Sequence, residues 1–178
     1  QSGQIRDVGY ELYQSMLEET ISKIRGGQID VLTSMDSQWS PQINLGVSVL
    51  IPESYVTDLD VRLGLYRRLS NLSKKVEFEG FAAELIDRFG KLPPEVNTLL
   101  LVVRIKSICK KAGIGKLDGG PKGANIQFHN DKFISPEGLV EFIKKQNGLA
   151  KIKDNKLIIK REWKKNSDKF KGAFSIAR

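Results

Sequence analysis

The chain contains few of the residues on which metalloproteins and disulfide-bonded proteins depend. Its 178 residues include one cysteine, Cys109, and one histidine, His129. A single cysteine excludes an internal disulfide and a cysteine-cluster metal site, and a lone histidine has no second imidazole to help hold a metal. Because Cys109 lies in an apolar stretch, we interpret it as a buried, inert thiol. We therefore expect neither a metal nor another cofactor.

Long apolar runs and targeting signals are also absent. The longest apolar run, residues 99–103, is stopped by Arg104, whereas a helix that spans a bilayer needs roughly 20 apolar residues. Residues 1–4 are polar and begin no apolar stretch of the secretory kind. These absences predict a cytoplasmic location without a membrane partner. The first residue is not methionine, so we expect a fragment of a longer protein.

Recognisable catalytic motifs are missing as well. Residues 118–123 (DGGPKG) contain glycines and a lysine, but no hydroxyl residue follows the lysine as in a phosphate-binding loop. Such a segment is typical of a hairpin turn. No G-x-S-x-G nucleophile motif occurs in the chain. A small hydrolase or transferase is therefore the least supported hypothesis, and no catalytic residue is predicted.

Positive charge is concentrated at one end of the chain. The net charge is +8, and residues 149–178 carry ten Lys/Arg against three Asp/Glu, whereas the rest carries 19 against 18. One explanation is a solvated edge strand whose lysines discourage pairing with other chains. The alternative is a surface for nucleic acid or an acidic partner. Candidate nucleic-acid contacts are Lys160, Arg161, Lys164 and Lys165.

Hydrophobic periodicity divides the chain into three segments. Residues 5–25 have helical spacing and end at Gly26-Gly27, so residues 1–27 are predicted to form a long amphipathic connector helix. Residues 28–42 are mixed in composition and are interpreted as a linker. Residues 43–178 are predicted to form the C-terminal domain.

Within residues 43–178 we predict helices and strands in separate runs. A strand is expected at 43–49, and helices are expected after Asp58 or Asp60, at 79–89, at 95–112 and after Ser135. Strands are expected at 114–117, 124–128, 150–153 and 156–161, followed by a short helix in the tail. This order favours an α+β fold, a single compact domain of helices packed on a small, mostly antiparallel sheet.

Two carboxylates in the segment AELIDRFG at 83–90 could bind a partner. Glu84 and Asp87 lie three residues apart on a predicted helix and therefore share a face. Two such groups could bind arginines of another protein through charge-assisted hydrogen bonds. The simpler alternative is that they are solvated or pair with Arg88 and Lys91, as many surface carboxylates do.

Three stretches resemble one family. Residues 1–5 (QSGQI), 8–13 (VGYELY) and 16–19 (MLEE) are similar to the end of the motor and the connecting helix of the bacterial transcription-repair coupling factor (Mfd). Residues 51–55 and 62–69 (RLGLYRRL) resemble the start of its C-terminal domain, and residues 84–93 (ELIDRFGKLP) resemble that domain's most distinctive segment. The resemblance runs from residue 1 to about residue 142 and leaves the basic tail unexplained.

The resemblance implies a non-catalytic regulatory domain. In the family, the full-length protein is an ATP-driven translocase on double-stranded DNA that displaces stalled RNA polymerase and recruits UvrA. Its C-terminal domain packs on an N-terminal UvrB-like module, hides the UvrA-binding surface and restrains the motor. The acidic residues of the E-L-I-D-R-F-G segment contact arginines of that module, which assigns partner binding to Glu84, Asp87 and the adjoining Arg88. Gln1 and Gly3 would be remnants of the motor's translocation motif.

Overall fold

The computed structural model describes residues 39–47, 49–132, 134–163 and 165–177. Three helices follow one another after a first short strand: α1 (Leu59–Ser70), α2 (Lys75–Phe89) and α3 (Pro94–Lys111). Asp58 caps α1, because its side chain accepts a hydrogen bond from the backbone N–H of Val61 at 2.9 Å. The predicted connector helix and all but the last residues of the predicted linker lie outside the described residues.

The helix α2 begins four residues earlier than expected. Its first turn is stabilised by the carboxylate of Glu77, which accepts hydrogen bonds from the backbone N–H groups of Ser73 (2.8 Å) and Lys74 (2.9 Å). This is the reciprocal half of a capping box. The same two bonds favour the ionised carboxylate and lower the pKa of Glu77.

The remaining elements form a sheet and two further helices. The described strands are β1 (Gln42–Asn44), β2 (Ile114–Gly120), β3 (Gly123–Phe128), β4 (Ala150–Lys153) and β5 (Lys156–Lys160). They pair in the order β1-β2-β3-β5-β4, and only β1 and β2 are parallel among them. A short 3-10 turn at His129–Asp131, the helix α4 (Pro136–Lys145) and the helix α5 (Asn166–Ala177) complete the described chain. The prediction of an α+β fold with a small, mostly antiparallel sheet is confirmed.

Two strand predictions need correction. The first strand is shorter than the expected 43–49, since β1 ends at Asn44 and Gly46 turns the chain with a φ of 63°. The glycine-rich segment is mostly strand, because Gly120 and Gly123 pair across a turn of two residues. Glycine has no side chain to indicate strand periodicity, so the sequence predicted only a turn there.

The chain divides into two compact units, which the sequence did not indicate. The first contains Val47–Val103, and the second combines Ser40–Gly46 with Arg104–Arg178. The boundary, between Val103 and Arg104, lies within the residue range of α3. The domain boundaries at 1–27, 28–42 and 43–178 stay predictions.

The first unit has a core built from one side of each of its helices. Leu69 of α1, Leu85 of α2 and Leu99 of α3 are almost fully buried, at 0%, 0% and 1% exposure. Burial of each such side chain contributes about 1.5–3 kcal/mol. Tyr66 also fixes the preceding loop, because its hydroxyl accepts a hydrogen bond from the backbone N–H of Ile51 at 2.6 Å.

The second unit buries one face of its sheet, and α5 lies against β2 on that side. Leu117, Ile126 and Leu157 of neighbouring strands lie in this core. Trp163 packs between Gly119 and Gly172, and a Cβ at Gly172 would lie 2.1 Å from its indole ring. The absence of a side chain at Gly172 therefore allows α5 to approach the indole.

Candidate partner-binding site

The candidate site lies in the first unit, on helices α1 and α2. Arg68, in the last turn of α1, donates two hydrogen bonds to the two carboxylate oxygens of Glu84 on α2, at 2.7 and 2.6 Å. Arg88, one turn after Glu84, donates a third at 3.1 Å. Glu84 is thus held between two guanidinium groups, one of them in the bidentate geometry of the strongest arginine–carboxylate pairs.

Aromatic neighbours position both arginines. Arg68 stacks over the ring of Phe81 with its Cζ 5.3 Å from the ring centroid, and Arg88 lies 4.9 Å from the centroid of Phe89. Phe81 is itself part of the core of the first unit. The ion-pair network therefore rests on apolar packing, which fixes the geometry of its long side chains.

The C-terminal end of α2 is held by a tyrosine. The hydroxyl of Tyr55 lies 3.0 Å from the carbonyl oxygen of Leu85 and 2.9 Å from that of Gly90, and donates toward them. Burial raises the pKa of Tyr55, so it remains a donor at neutral pH. Gly90 ends the helix with φ 86° and ψ −162°, a conformation that only glycine adopts readily.

The arginines also shift the titration of Glu84. Hydrogen bonds from Arg68, and then from Arg88, lower the pKa of Glu84 from its ordinary 4.5 to about 2. Because the pKa is lower in the folded state, this pairing stabilises the fold above pH 4.5 and loses its effect as the pH falls toward 2. The side chain of Glu84 is 32% exposed, so solvent screening limits the contribution to about 1 kcal/mol or less.

Removal of Arg68 should therefore raise the pKa of Glu84. We expect Arg68→Gln to move it from about 2 back toward the ordinary value of 4.5, because the two shortest hydrogen bonds to the carboxylate are lost. Titration of the carboxyl carbon by NMR measures this change. Lys75→Gln, which removes an exposed pair with Glu79, is the control and should leave Glu84 unchanged. An unshifted pKa in Arg68→Gln would show that Arg68 does not hold Glu84 in solution.

Asp87 differs from Glu84 in its surroundings. It is exposed on α2 and makes none of the ion pairs found among the described residues. Ile86 beside it is 50% exposed, and Val76 on the same helix is 75% exposed. The simpler alternative of the sequence, pairing with Arg88 or solvation, describes Glu84 and Asp87 in the structure. It missed Arg68, which lies 16 residues from Glu84 on another helix. Only the packing of α1 on α2 brings these two residues together.

The other predicted site residues are placed as follows. Lys160 is the last residue of β5, Arg161 follows it, and Lys165 directly precedes α5. Gln1, Gly3 and Lys164 lie outside the described residues. Lys160 and Arg161 are exposed, and neither is near the Glu84 network in sequence.

The described ranges do not provide what a metal site, a reactive cysteine or a membrane span requires. Among them, no group of three or more His, Cys, Asp or Glu side chains is placed to hold a metal ion. Cys109 is fully buried, and burial raises the pKa of its thiol to about 12, so it is inert as a nucleophile. No helix in this part of the chain is long and apolar enough to cross a membrane.

Comparison with known proteins identifies the family. A family model described as the TRCF domain matches residues 45–139. The chain is 47% identical to the transcription-repair-coupling factor of Rickettsia bellii over 159 residues, which are 89% of the chain. It is 34% identical to that of Escherichia coli over 146 residues, which are 82% of the chain. It spans only 14% and 13% of the length of these two relatives.

A solved structure supports the fold. The crystal structure of a C-terminal domain of transcription-repair coupling factor superposes with a TM-score of 0.59 at 17% identity, and covers 79% of this chain and 93% of its own. This likeness concerns the fold, whereas the match of the family model to residues 45–139 concerns the sequence. The chain therefore belongs to the TRCF domain family of transcription-repair coupling factors.

Proposed function

We propose that this chain is a non-catalytic regulatory domain that docks through α2 onto the N-terminal UvrB-like module of the same protein. Docking would mask the surface of that module that binds UvrA and restrain the DNA translocase. In this proposal residues 43–178 form the regulatory domain, and residues 1–27 and 28–42 connect it to the motor. The observation that carries the proposal is the exposed side of α2, where Asp87 and Ile86 lie beside the Glu84 network.

The chemistry of this surface suits arginines on a partner. Asp87 presents a carboxylate that holds no ion pair with any described residue, and a guanidinium can bind it with two parallel hydrogen bonds. Glu84 is already bonded by Arg68 and Arg88, but a carboxylate has about four lone-pair sites and can accept further donors. Exposed Ile86 and Val76 add apolar area that docking would remove from water.

The mixed polar and apolar character of the surface also suits regulation. An interface with few apolar residues has a modest intrinsic affinity, which allows release. Covalent tethering within one protein raises the effective concentration, so weak affinity is enough to keep the closed state populated. In the cytoplasm, RNA polymerase and double-stranded DNA would engage the full-length protein and shift its population toward an open state. UvrA would then bind the exposed surface of the module.

The test is titration of this chain with the separately produced UvrB-like module. We expect Glu84→Lys together with Asp87→Lys to weaken binding at least about hundredfold, because each reversal replaces an attractive charge contact by a repulsive one. The matched control is Glu137→Lys with Glu141→Lys on α4, which changes the net charge equally on exposed residues of the second unit. The control should bind like the wild type.

Reversal of Glu84 places a third cation beside Arg68 and Arg88, so the fold of each variant is checked by thermal unfolding. Asp87→Lys alone disturbs none of the hydrogen bonds of Glu84 and keeps the proposal testable if the double variant unfolds. Wild-type affinity of the folded Asp87→Lys variant would remove Asp87 from the site. Equal loss of binding in the Glu137/Glu141 control would show that net charge, and not α2, determines affinity.

A further inference from the structure

The sheet of the second unit has one face that the helices leave open. Leu117, Ile126 and Leu157 are buried on the helix side, so the residues next to them in each strand point the other way. Strand pairing aligns these outward side chains in rows. We define the open sheet face as Gln42, Asn44, Lys116, Asp118, Asn125, Gln127, Lys151, Lys153, Lys156, Ile158 and Lys160.

Charge on the open sheet face is nearly all positive. It carries five lysines and one acid, Asp118, which pairs with Lys116 at 3.4 Å. The other four lysines, on β4 and β5, are exposed and form no ion pair with any described residue. Lysines that only protect a sheet edge would lie on β4, the outermost strand. Lys156 and Lys160 lie on β5, an inner strand, so edge protection does not explain them.

Side-chain amides occupy the other half of the open sheet face. Asn125 and Gln127 of β3 are exposed and follow the lysines of β5 in register, with Asn125 opposite Ile158 and Gln127 opposite Lys156. Toward the glycine turn the surface becomes concave, with a cleft of about 550 Å³ that Asn44, Asn125 and Lys160 help to line. Amide N–H groups and lysine ammonium groups are both hydrogen-bond donors to phosphate oxygens.

We infer that the open sheet face binds the sugar–phosphate backbone of duplex DNA without reading its sequence. The face has no aromatic side chain on which an unpaired base could stack, so it lacks the platform that single-strand binders use. Duplex DNA has the higher charge density, about one charge per 1.7 Å of axis, and neutralising it releases more counterions. This surface lies in the second unit, whereas docking through α2 uses the first, so the two activities are separable.

Fluorescence anisotropy of a labelled duplex of about 20 base pairs, titrated with the whole chain at about 50 and 200 mM salt, tests the inference. We expect binding at low salt that falls steeply with salt, with a logarithmic slope near −4 for roughly four phosphate contacts. Lys151→Ala, Lys156→Ala and Lys160→Ala in one variant should weaken binding at least about tenfold and make the slope less steep by roughly 2–3.

The matched control removes three exposed lysines that lie on helices and not on the sheet, as Lys110→Ala, Lys144→Ala and Lys171→Ala. It should bind within about twofold of the wild type, since the net charge changes equally but no phosphate contact is lost. Absence of wild-type binding at low salt would overturn the inference, and so would equal weakening in the control. Two further outcomes would overturn the inference by assigning the face to another ligand. One is tighter binding of a single strand of equal length, and the other is displacement of the duplex by polyglutamate at equal charge.

Discussion

Gly123→Ala is expected to destabilise the second unit by about 3 kcal/mol or more. Gly123 begins β3 with a φ of 129°, a conformation that L-residues rarely adopt. A Cβ placed there would lie 1.8 Å from the carbonyl oxygen of Ile159 on the neighbouring strand. That atom belongs to the backbone and cannot rotate away, so the strand pairing near Lys160 must open.

Urea unfolding followed by circular dichroism, together with hydrogen exchange of peptides from β3 and β5, measures this effect. Gly120→Ala is a matched control, because Gly120 pairs with Gly123 across the same turn and an added Cβ there meets nothing within 4 Å. The control should change stability by less than about 1 kcal/mol. Equal stability of the two variants would show that β3 does not approach β5 as closely as described.

Leu85→Ala is expected to destabilise the first unit by about 2–5 kcal/mol. Leu85 is fully buried at 0% exposure in the core formed by α1, α2 and α3. Truncation removes favourable burial and leaves a cavity that a packed core closes only in part. Since Leu85 directly follows Glu84, the same change should loosen the candidate site and raise the pKa of Glu84 from about 2.

The neighbouring residue is the control for Leu85. Ile86 is 50% exposed, so Ile86→Ala should change the free energy of unfolding by less than about 1 kcal/mol. Urea midpoints for both variants make the comparison. If the proposed docking through α2 holds, Ile86→Ala should nevertheless weaken binding to the UvrB-like module. A large loss of stability in Ile86→Ala would mean that this side of α2 is buried in the chain itself.

Local chemistry made several elements predictable from the sequence. Ser135 and Pro136 were expected to start a helix, and α4 begins there, with the Ser135 hydroxyl accepting a hydrogen bond from the backbone N–H of Gly138. The strands expected at 150–153 and 156–161 likewise left Asp154-Asn155 as the turn between them. Both residues have positive φ, 51° and 57°, which Asp and Asn tolerate better than other L-residues and which matches the twist of paired strands.

Contacts between distant segments were not predictable in this way. The pairing of β1 with β2 joins Ile43 to Leu117, and the sequence contains no signal for that register. The same holds for Glu84, whose main partner Arg68 lies on another helix. Sequence spacing placed Glu84 and Asp87 on one helix correctly, but it could not show that arginines hold Glu84 and leave Asp87 exposed.

The sequence by itself determined the α+β class, the cap of α4, the turn at Asp154-Asn155 and the family to which the chain belongs. These properties depend on residues close together along the chain, whose interactions follow from backbone geometry and periodicity. The tertiary structure alone decided which charges from distant segments are paired and which surfaces are open. Arg68 neutralises Glu84, and Lys156 and Lys160 share an open sheet face with Lys116, because helix packing and strand register bring together residues that are far apart in sequence.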